Sequence, residues 1–159
     1  MRKDSRGFSL IELLIVVAII LIIAAIAIPN LLRSRIAANQ ASAVGSLRTI
    51  NTAEITYAST YNAGYSPDLP SLGPGTSATP TASEAGLIDS VLAGGVKSGY
   101  TFTYAPGTVV GGRIDTYTLN ANPVTAGTTG TNYYFSDHSG VIRQNSTGAA
   151  SVTDSPIAG

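Results

Sequence analysis

The 159-residue chain is long enough for one small domain and an additional segment, and its zero net charge conceals an uneven distribution. Residues 1–59 carry six basic and three acidic side chains, whereas residues 60–159 carry three basic and six acidic ones. No segment has the dense positive charge that binds phosphates, so we expect no direct nucleic-acid binding. The chain has no cysteine, which excludes disulfides, thiolate metal sites and cysteine nucleophiles.

Residues 8–28 form an almost unbroken apolar segment, FSLIELLIVVAIILIIAAIAI, in which only Ser9 and Glu12 are polar. A helix of this length rises about 30 Å, which is the hydrocarbon thickness of a bilayer. A helix that is apolar on every face could otherwise be buried only inside a much larger protein. We therefore predict a transmembrane helix over residues 8–29.

The residues before this segment, MRKDSRG, contain three cations and one acid. The positive-inside tendency places them in the cytoplasm and the C-terminal part of the chain outside. In an ordinary secretory signal the small residue of the cleavage site follows the apolar segment, whereas here Gly7 precedes it. Cleavage after Gly7 would remove residues 1–7 as a leader peptide and keep the anchor.

The sequence from Gly7 to Glu12, GFSLIE, resembles the processing motif of type IV prepilins and of the related pseudopilins of type II secretion. The resemblance also includes the basic leader and the long apolar segment, and it covers about residues 1–35. It implies cleavage between Gly7 and Phe8 by a membrane-bound prepilin peptidase. The same enzyme would methylate the new α-amino group of Phe8.

Glu12 requires a compensating partner, because an acidic side chain costs about 2.5–3.5 kcal/mol at the centre of a membrane helix. Cleavage would create a candidate, the cationic amine of Phe8, and methylation would preserve its charge. The resemblance implies that Glu12 of one subunit meets the Phe8 amine of a neighbour during filament assembly. Such a pair would contribute more to the register between neighbouring subunits than to the net stability of the filament. The alternative is an acid that reaches the membrane interface without a specific partner.

Pro29 lacks the amide hydrogen that would bond to the carbonyl of Ala25, so we expect a helix kink there. Residues 30–61 contain no proline, and their larger apolar residues recur at near-helical intervals. We therefore predict that residues 30–62 form the amphipathic half of the same helix. These apolar positions are Ile36, Val44, Leu47, Ile50, Tyr57 and Tyr61.

Residues 63–159 are predicted to form a globular head domain. Its first part, residues 65–75, is rich in proline and glycine and indicates a loop. Thr81 and Glu84 have the spacing of a capping box, which predicts a short helix from Ser83 to Ala93.

Alternating apolar and polar residues then predict an antiparallel arrangement of strands. Residues 137–140, DHSG, favour a tight hairpin turn. Residues 106–112 and 123–131 are expected to be exposed loops, and the tail, residues 147–159, shows no clear element. The predicted strands are 100–104, 116–121, 133–136 and 141–144.

Together these elements predict an α+β fold in which the long N-terminal helix packs on a small antiparallel sheet of three or four strands. This is the ladle fold that pilins and pseudopilins share. Family members often close their C-terminal region with a disulfide loop, and the absence of cysteine here departs from that pattern. The sequence does not say what holds residues 123–159 in place.

Other candidate sites are weaker. His138 is the only histidine, and one turn residue does not make a hydrolase triad, so Asp137 and His138 are interpreted as turn residues. Calcium binding by Asp115, Asp137 and Asp154 is an alternative, because some pseudopilins bind calcium in this region, but their spacing matches no known ligand loop. We predict no cofactor and no resident metal.

Two further patterns have simpler interpretations. Tyr57, Tyr61 and Tyr65 are four residues apart and could form a charge-transfer stripe, but packing of a helix against a sheet explains them more simply. Residues 145–147, NST, match the glycosylation sequon, which occurs readily by chance.

The resemblance implies a structural subunit of a type IV pilus, not an enzyme, which forms filaments for adhesion, motility or DNA uptake. Its partners would be copies of itself, the prepilin peptidase and methyltransferase, and the pilus assembly machinery. It would cross the inner membrane with its head outward before joining an extracellular filament. The alternatives are a pseudopilin in a periplasmic pseudopilus, and a single-pass membrane-anchored enzyme or sensor domain.

Overall fold

The computed structural model of the chain describes residues 8–76 and 79–157. The chain divides after Arg35 into two compact units, residues 1–35 and 36–159. The helices are α1 (Leu10–Tyr61), a 3₁₀ helix (Pro70–Leu72) and α2 (Ser90–Ala93). The strands are β1 (Val96–Lys97), β2 (Tyr100–Pro106), β3 (Val109–Val110), β4 (Arg113–Ile114), β5 (Tyr117–Pro123), β6 (Tyr133–Asp137) and β7 (Arg143–Asn145).

In the second unit, α1 buries one face at the spacing of an amphipathic helix, as the sequence predicts. The opposite face, which includes Arg48 and a row of threonines, is exposed. The buried residues of α1 are Ala43, Ser46, Leu47, Ile50, Asn51, Ala53, Glu54 and Tyr57.

The predicted antiparallel sheet is confirmed, and its strand order is β1-β2-β5-β6-β7. Phe102 lies opposite Ala121, and Asn120 lies opposite Phe135. The sheet has five strands instead of three or four. The additional strand, β1, has only two residues, which is too short for an alternating pattern to reveal.

One hydrophobic core joins the helix to the sheet. Leu47 and Ile50 of α1 pack in the same cluster as Tyr100 of β2 and Leu119 of β5, and all four side chains are fully buried. Leu72 and Leu92, which lie in the segment that connects α1 to the sheet, extend this core.

The predicted helix from Ser83 to Ala93 is wrong for most of its length, because α2 begins only at Ser90. Thr81 and Glu84 do not form a capping box; their backbones exchange hydrogen bonds of 3.1 and 3.0 Å. Downstream amides bond to the 3₁₀ segment instead of to a helix, for example from Leu87 N–H to the Leu72 carbonyl at 2.8 Å. Asp89 is the true N-cap, since it accepts a 3.0 Å bond from the Leu92 amide.

Two predicted loops also differ from the structure. Residues 106–112 contain β3, which pairs with β4 in a separate two-stranded hairpin. In residues 123–131, Gly130 is buried against the ring of Tyr100, where a β-carbon would collide with the tyrosine hydroxyl. The last predicted strand, 141–144, is observed at Arg143–Asn145 because Val141 still belongs to the turn region and its carbonyl accepts a bond from Ser136 Oγ.

The β3–β4 hairpin holds the C-terminal end of α1. Arg113 donates from Nη1 to the carbonyl of Asn62 at 3.0 Å, just after the last helical residue. Asn62 has a positive φ of 52°, which is common where a helix ends. The Tyr65 amide then bonds to the Ile114 carbonyl at 2.7 Å, so the chain leaves the helix in contact with β4.

Hydrogen bonds secure the C-terminal tail in place of a disulfide. The Ile157 amide donates to the Ile142 carbonyl and the Gln144 amide donates to the Ser155 carbonyl, both at 3.0 Å. Asp154 accepts bonds from the Ser151 amide at 2.7 Å and from Asn145 Nδ2 at 2.9 Å. We call residues 150–157 the C-terminal clasp.

We expect Asp154→Ala to open the C-terminal clasp while leaving the sheet folded, because it removes the acceptors of Ser151 and Asn145. Amide exchange at Ser151 should become about tenfold faster or more, and exchange at Gln144 should follow. Asp115→Ala, which removes a carboxylate paired only with Arg113 at 3.4 Å, is the control. Equal exchange rates in both variants would show that Asp154 does not hold the clasp.

A buried polar network joins α1 to two strands and a turn. Asn51 donates from Nδ2 to Ser136 Oγ at 2.8 Å, and its Oδ1 accepts a 3.0 Å bond from the Tyr117 hydroxyl. Asn51 Nδ2 also lies 3.4 Å from the Gly140 carbonyl. A buried and satisfied amide of this kind fixes the position of the helix on the sheet.

We expect Asn51→Leu to lower the free energy of unfolding by about 1–3 kcal/mol, because it leaves the Tyr117 hydroxyl buried without an acceptor. Tyr117→Phe should cost less in the Asn51→Leu background than in the wild type. Urea unfolding of the four proteins in a double-mutant cycle measures this coupling. Additive effects would mean that the Tyr117–Asn51 bond contributes nothing.

Candidate functional site

The predicted processing site lies at the beginning of the described chain. Gly7 lies outside the described residues, so cleavage between Gly7 and Phe8 stays a prediction. Phe8 is 87% exposed, and the helix begins two residues later at Leu10. The Phe8 side chain is therefore uncovered in this structure.

Glu12 has a local hydrogen-bond partner. Its Oε2 accepts a 2.9 Å bond from the backbone amide of Ser9, and the Ser9 carbonyl accepts the first helical bond from Leu13 at 3.2 Å. Ser9 therefore stands at the N-terminal cap of α1, and Glu12 supplies the acceptor that such an end requires. The predicted pairing of Glu12 with a Phe8 amine requires cleavage first and stays a prediction.

The described part of the first unit, residues 8–35, is an apolar helical segment with exposed side chains. From Phe8 to Arg35 every described residue except Ala24 is exposed, and the large aliphatic side chains between Leu10 and Leu32 are 46–77% exposed. By length and composition this helix is able to cross a membrane, and no residue of its most apolar stretch is buried. Burial of each such side chain stabilises by about 1.5–3 kcal/mol, so this surface favours a lipid or protein environment.

α1 continues through Pro29 without interruption. The proline leaves the Ala25 carbonyl without its helical donor, and both residues are exposed. The helix kink at Pro29 stays a prediction. Arg33 and Arg35 follow the apolar segment and are also exposed.

His138 and the predicted alternative sites do not form a catalytic group. His138 is exposed, while Asp137 accepts a 2.9 Å bond from the Ser139 amide and closes the predicted turn. Although burial opposes the change, bonds from the Ser139 hydroxyl and amide lower the pKa of Asp137. Asp137 and His138 line an open cleft of about 550 Å³ on the head together with Ser151, whose hydroxyl is engaged by Asp154.

The three carboxylates proposed for calcium are separately engaged. Asp115 pairs with Arg113, Asp137 with Ser139, and Asp154 with the clasp. Within residues 8–76 and 79–157, no three histidine, cysteine or acidic side chains are grouped as metal ligands. The structure therefore gives no support to the calcium alternative.

The tyrosines spaced four apart are packing residues, as predicted. Tyr57 is buried and donates to the Ala82 carbonyl at 2.8 Å, and Tyr61 packs on it with ring centroids 4.8 Å apart. Tyr65 instead packs edge-on against Tyr117 at 4.8 Å.

The sequon asparagine is also structural. Asn145 Oδ1 accepts a 2.8 Å bond from the Thr147 amide while Nδ2 donates to Asp154, so a glycan on Nδ2 would disturb the C-terminal clasp.

Sequence reasoning missed Glu54, which is fully buried on the core-facing side of α1. Its carboxylate accepts bonds from the Ser66 amide at 2.8 Å and from Ser66 Oγ at 2.6 Å. The signal was present, because Glu54 falls at helical spacing between Ile50 and Tyr57 on the apolar stripe. A single acid on such a stripe indicates a buried polar contact.

Comparison with known proteins matches the N-terminal region. Residues 2–28 match the family described as the prokaryotic N-terminal methylation motif. The chain is 52% identical over 50 residues to the type IV major pilin protein PilA of Myxococcus xanthus, which covers 31% of this chain and 23% of that protein. It is 62% identical over 37 residues to the type IV wide pilus major component PilA4 of Thermus thermophilus, which covers 23% of this chain and 28% of that protein.

The chain thus spans only 23–28% of the length of these curated relatives. No solved structure matches the chain significantly. The N-terminal part of the chain therefore carries the prokaryotic N-terminal methylation motif over residues 2–28 and is similar in sequence to two type IV pilus components.

Proposed function

We propose that the protein is the structural subunit of a type IV pilus, which polymerises through its N-terminal helix into a surface filament for adhesion, motility or DNA uptake. The observation that carries this proposal is the apolar helix between Leu10 and Leu32, which no described residue covers. A folded head with its own core follows it in the same chain. Such a chain needs lipid before assembly and other subunits afterwards.

Processing would precede assembly. A prepilin peptidase would cut between Gly7 and Phe8 and methylate the Phe8 amine, and the basic leader would mark the cytoplasmic side of the inner membrane. The head would then face outward, and pilus assembly machinery would move the subunit from the membrane into the filament. The match to the methylation motif over residues 2–28 supports this order.

The environment explains why assembly needs more than apolar surface. Inside a bilayer the helix is already solvated by hydrocarbon, so apolar contact between helices gains little there. Outside the membrane, the exposed surface between Leu10 and Leu32 must be covered by neighbouring helices. Copies of the same helix are therefore the partners that this surface fits best.

Glu12 would provide the specific contact. In the single chain, the hydrogen bond from the Ser9 amide partly compensates the cost of placing the Glu12 carboxylate in an apolar segment. This bond lies at the same end of the helix as Phe8. A cationic Phe8 amine from a neighbouring subunit could replace or join that amide as a stronger partner. The charge pair would then fix the axial register of the bundled helices.

A pseudopilin of a type II secretion system is the second candidate, because the resemblance to the processing motif applies to both kinds of subunit. The names of the two relatives, both pilus components, favour the pilus. A single-pass anchored enzyme or sensor is the least supported. The serine hydroxyls that bond to carboxylates in the described part of the chain close turns or hold backbone segments in place; they are Ser66, Ser71, Ser139 and Ser151.

We expect mass spectrometry of the purified protein to show a chain that begins at Phe8 and carries one added methyl group on its amine. Removal of residues 1–7 would leave the membrane helix intact, so the protein should remain in the membrane fraction. An intact Met1 in filament-bound protein would contradict both the pilin and the pseudopilin interpretations.

We expect Glu12→Ala to insert and to be processed, but to lower the filament yield by about tenfold or more, because the Phe8 amine would lose its partner. Glu12→Gln retains an acceptor for the Ser9 amide and removes the charge, so it should assemble as poorly as Glu12→Ala. Glu84→Ala removes a carboxylate from the head and is the control. Sheared filaments measured by immunoblot would decide, and a normal yield from Glu12→Gln would show that the charge is not needed.

A further inference from the structure

Glu54 is a fully buried carboxyl group without an ion-pair partner. Its side chain is 0% exposed, although it lies on a helix that also presents a solvent-exposed face. The ion pairs in the described part of the chain join Lys97 to Asp89 and Arg113 to Asp115, and neither involves Glu54. An unpaired buried charge is costly, so its hydrogen bonds must compensate it or a proton must neutralise it.

Ser66 provides those hydrogen bonds from the segment that follows α1. Its amide donates to Glu54 Oε2 at 2.8 Å and its hydroxyl donates to Glu54 Oε1 at 2.6 Å. The Ser66 carbonyl in turn accepts a 2.9 Å bond from the Tyr104 hydroxyl on β2. Ser66 thus connects the helix to the sheet through three of its polar groups.

The Ser66 hydroxyl has two acceptors within reach but only one proton. It lies 2.6 Å from Glu54 Oε1 and 3.0 Å from the Asp68 carbonyl. When Glu54 is ionised, the hydroxyl donates to the carboxylate. When Glu54 is protonated, the carboxyl O–H can donate to Ser66 Oγ, and the hydroxyl can turn to the Asp68 carbonyl. The site can therefore satisfy both protonation states without moving the backbone.

We propose that Glu54, the Ser66 hydroxyl and the Asp68 carbonyl form a proton-responsive latch, which holds residues 62–72 more firmly on the head as the pH falls. On protonation, the bond between Glu54 Oε1 and Ser66 Oγ reverses direction and the Ser66 hydroxyl donates to the Asp68 carbonyl instead. The latch lies within the second unit and does not depend on the function proposed above.

The tyrosines that interact with Glu54 do not replace it as the titrating group near neutral pH. They are Tyr57 on α1, Tyr104 on β2 and Tyr117 on β5. Asp68 lies in the segment after α1, with its carbonyl 3.0 Å from Ser66 Oγ. Burial raises the pKa of Tyr104 and of Tyr117, so both hydroxyls stay protonated near neutral pH. Asp68 is engaged by the Ser71 amide at 2.9 Å and by the Ser71 hydroxyl at 2.6 Å.

The sign of the pH effect follows from burial. Burial raises the pKa of Glu54 above its usual value of 4.5, and the hydrogen bonds from Ser66 offset part of that rise. Because the folded state binds the proton more tightly than the unfolded state, protonation stabilises the head. This contribution is complete below pH 4.5 and is lost as the pH rises through the pKa of the folded state.

The titration can be followed directly in the full-length protein in detergent micelles, labelled with ¹³C at the glutamate carboxyls. The chain has only three glutamates, and the signal that is missing in Glu54→Gln identifies Glu54. We expect a titration midpoint above 4.5 for Glu54. We also expect Ser66→Ala to raise it further, because the variant removes a hydrogen bond that favours the ionised form. A midpoint at or below 4.5, or one that Ser66→Ala leaves unchanged, would overturn the latch.

Unfolding by urea between about pH 4 and pH 8 tests the effect on stability. The ratio of the unfolding constants of wild type and Glu54→Gln cancels the contribution of the other carboxylates. As the pH falls below the folded pKa of Glu54, this ratio should decrease with a limiting slope of about tenfold per pH unit. A ratio that stays constant or increases would overturn the proposal. If Glu54→Gln does not fold, the titration of the wild-type and Ser66→Ala proteins decides alone.

Discussion

An apolar helix that water cannot solvate favourably is the constraint on which the rest of this molecule depends. The large aliphatic side chains between Leu10 and Leu32 are exposed in the single chain. In the proposed function this surface is covered first by lipid and then by other copies of the chain. Glu12 lies near the start of this surface, where the Ser9 amide donates to its carboxylate, and in the proposed filament its charge would distinguish one register from another.

The same helix has a second role in its C-terminal part, where it forms the centre of the head. Leu47 and Ile50 supply its hydrophobic contacts, while Asn51 and Glu54 place polar groups in the same interface. The polar contacts join α1 to the turn after β6, to β5 and to the segment around Ser66. Apolar burial gives the stability of such an interface, and the hydrogen bonds determine how the helix is positioned on the sheet.

The head has no disulfide, and hydrogen bonds between side chains and backbone secure two of its irregular segments. Asp154 accepts a hydrogen bond from the Ser151 amide within the C-terminal clasp, and Glu54 binds the segment after α1 through Ser66. Both anchors are carboxylates that accept backbone amides, but their environments differ. The hydrogen bond from the Ser151 amide lowers the pKa of Asp154, whereas burial raises the pKa of Glu54. Acid is therefore expected to weaken the first anchor and strengthen the second.

The sequence by itself determined the features that depend on local pattern: the apolar helix, the N-terminal methylation motif within residues 2–28, the amphipathic continuation, the turn at 137–140 and the alternating strands. Tertiary structure decided the features that depend on distant backbone partners. Thr81 and Glu84 have helix-capping chemistry, but bonds from residues 85–88 to the 3₁₀ segment outweigh it. The two-residue strands, the C-terminal clasp and the Glu54 contacts arise from partners remote in sequence or from elements too short for any period to reveal.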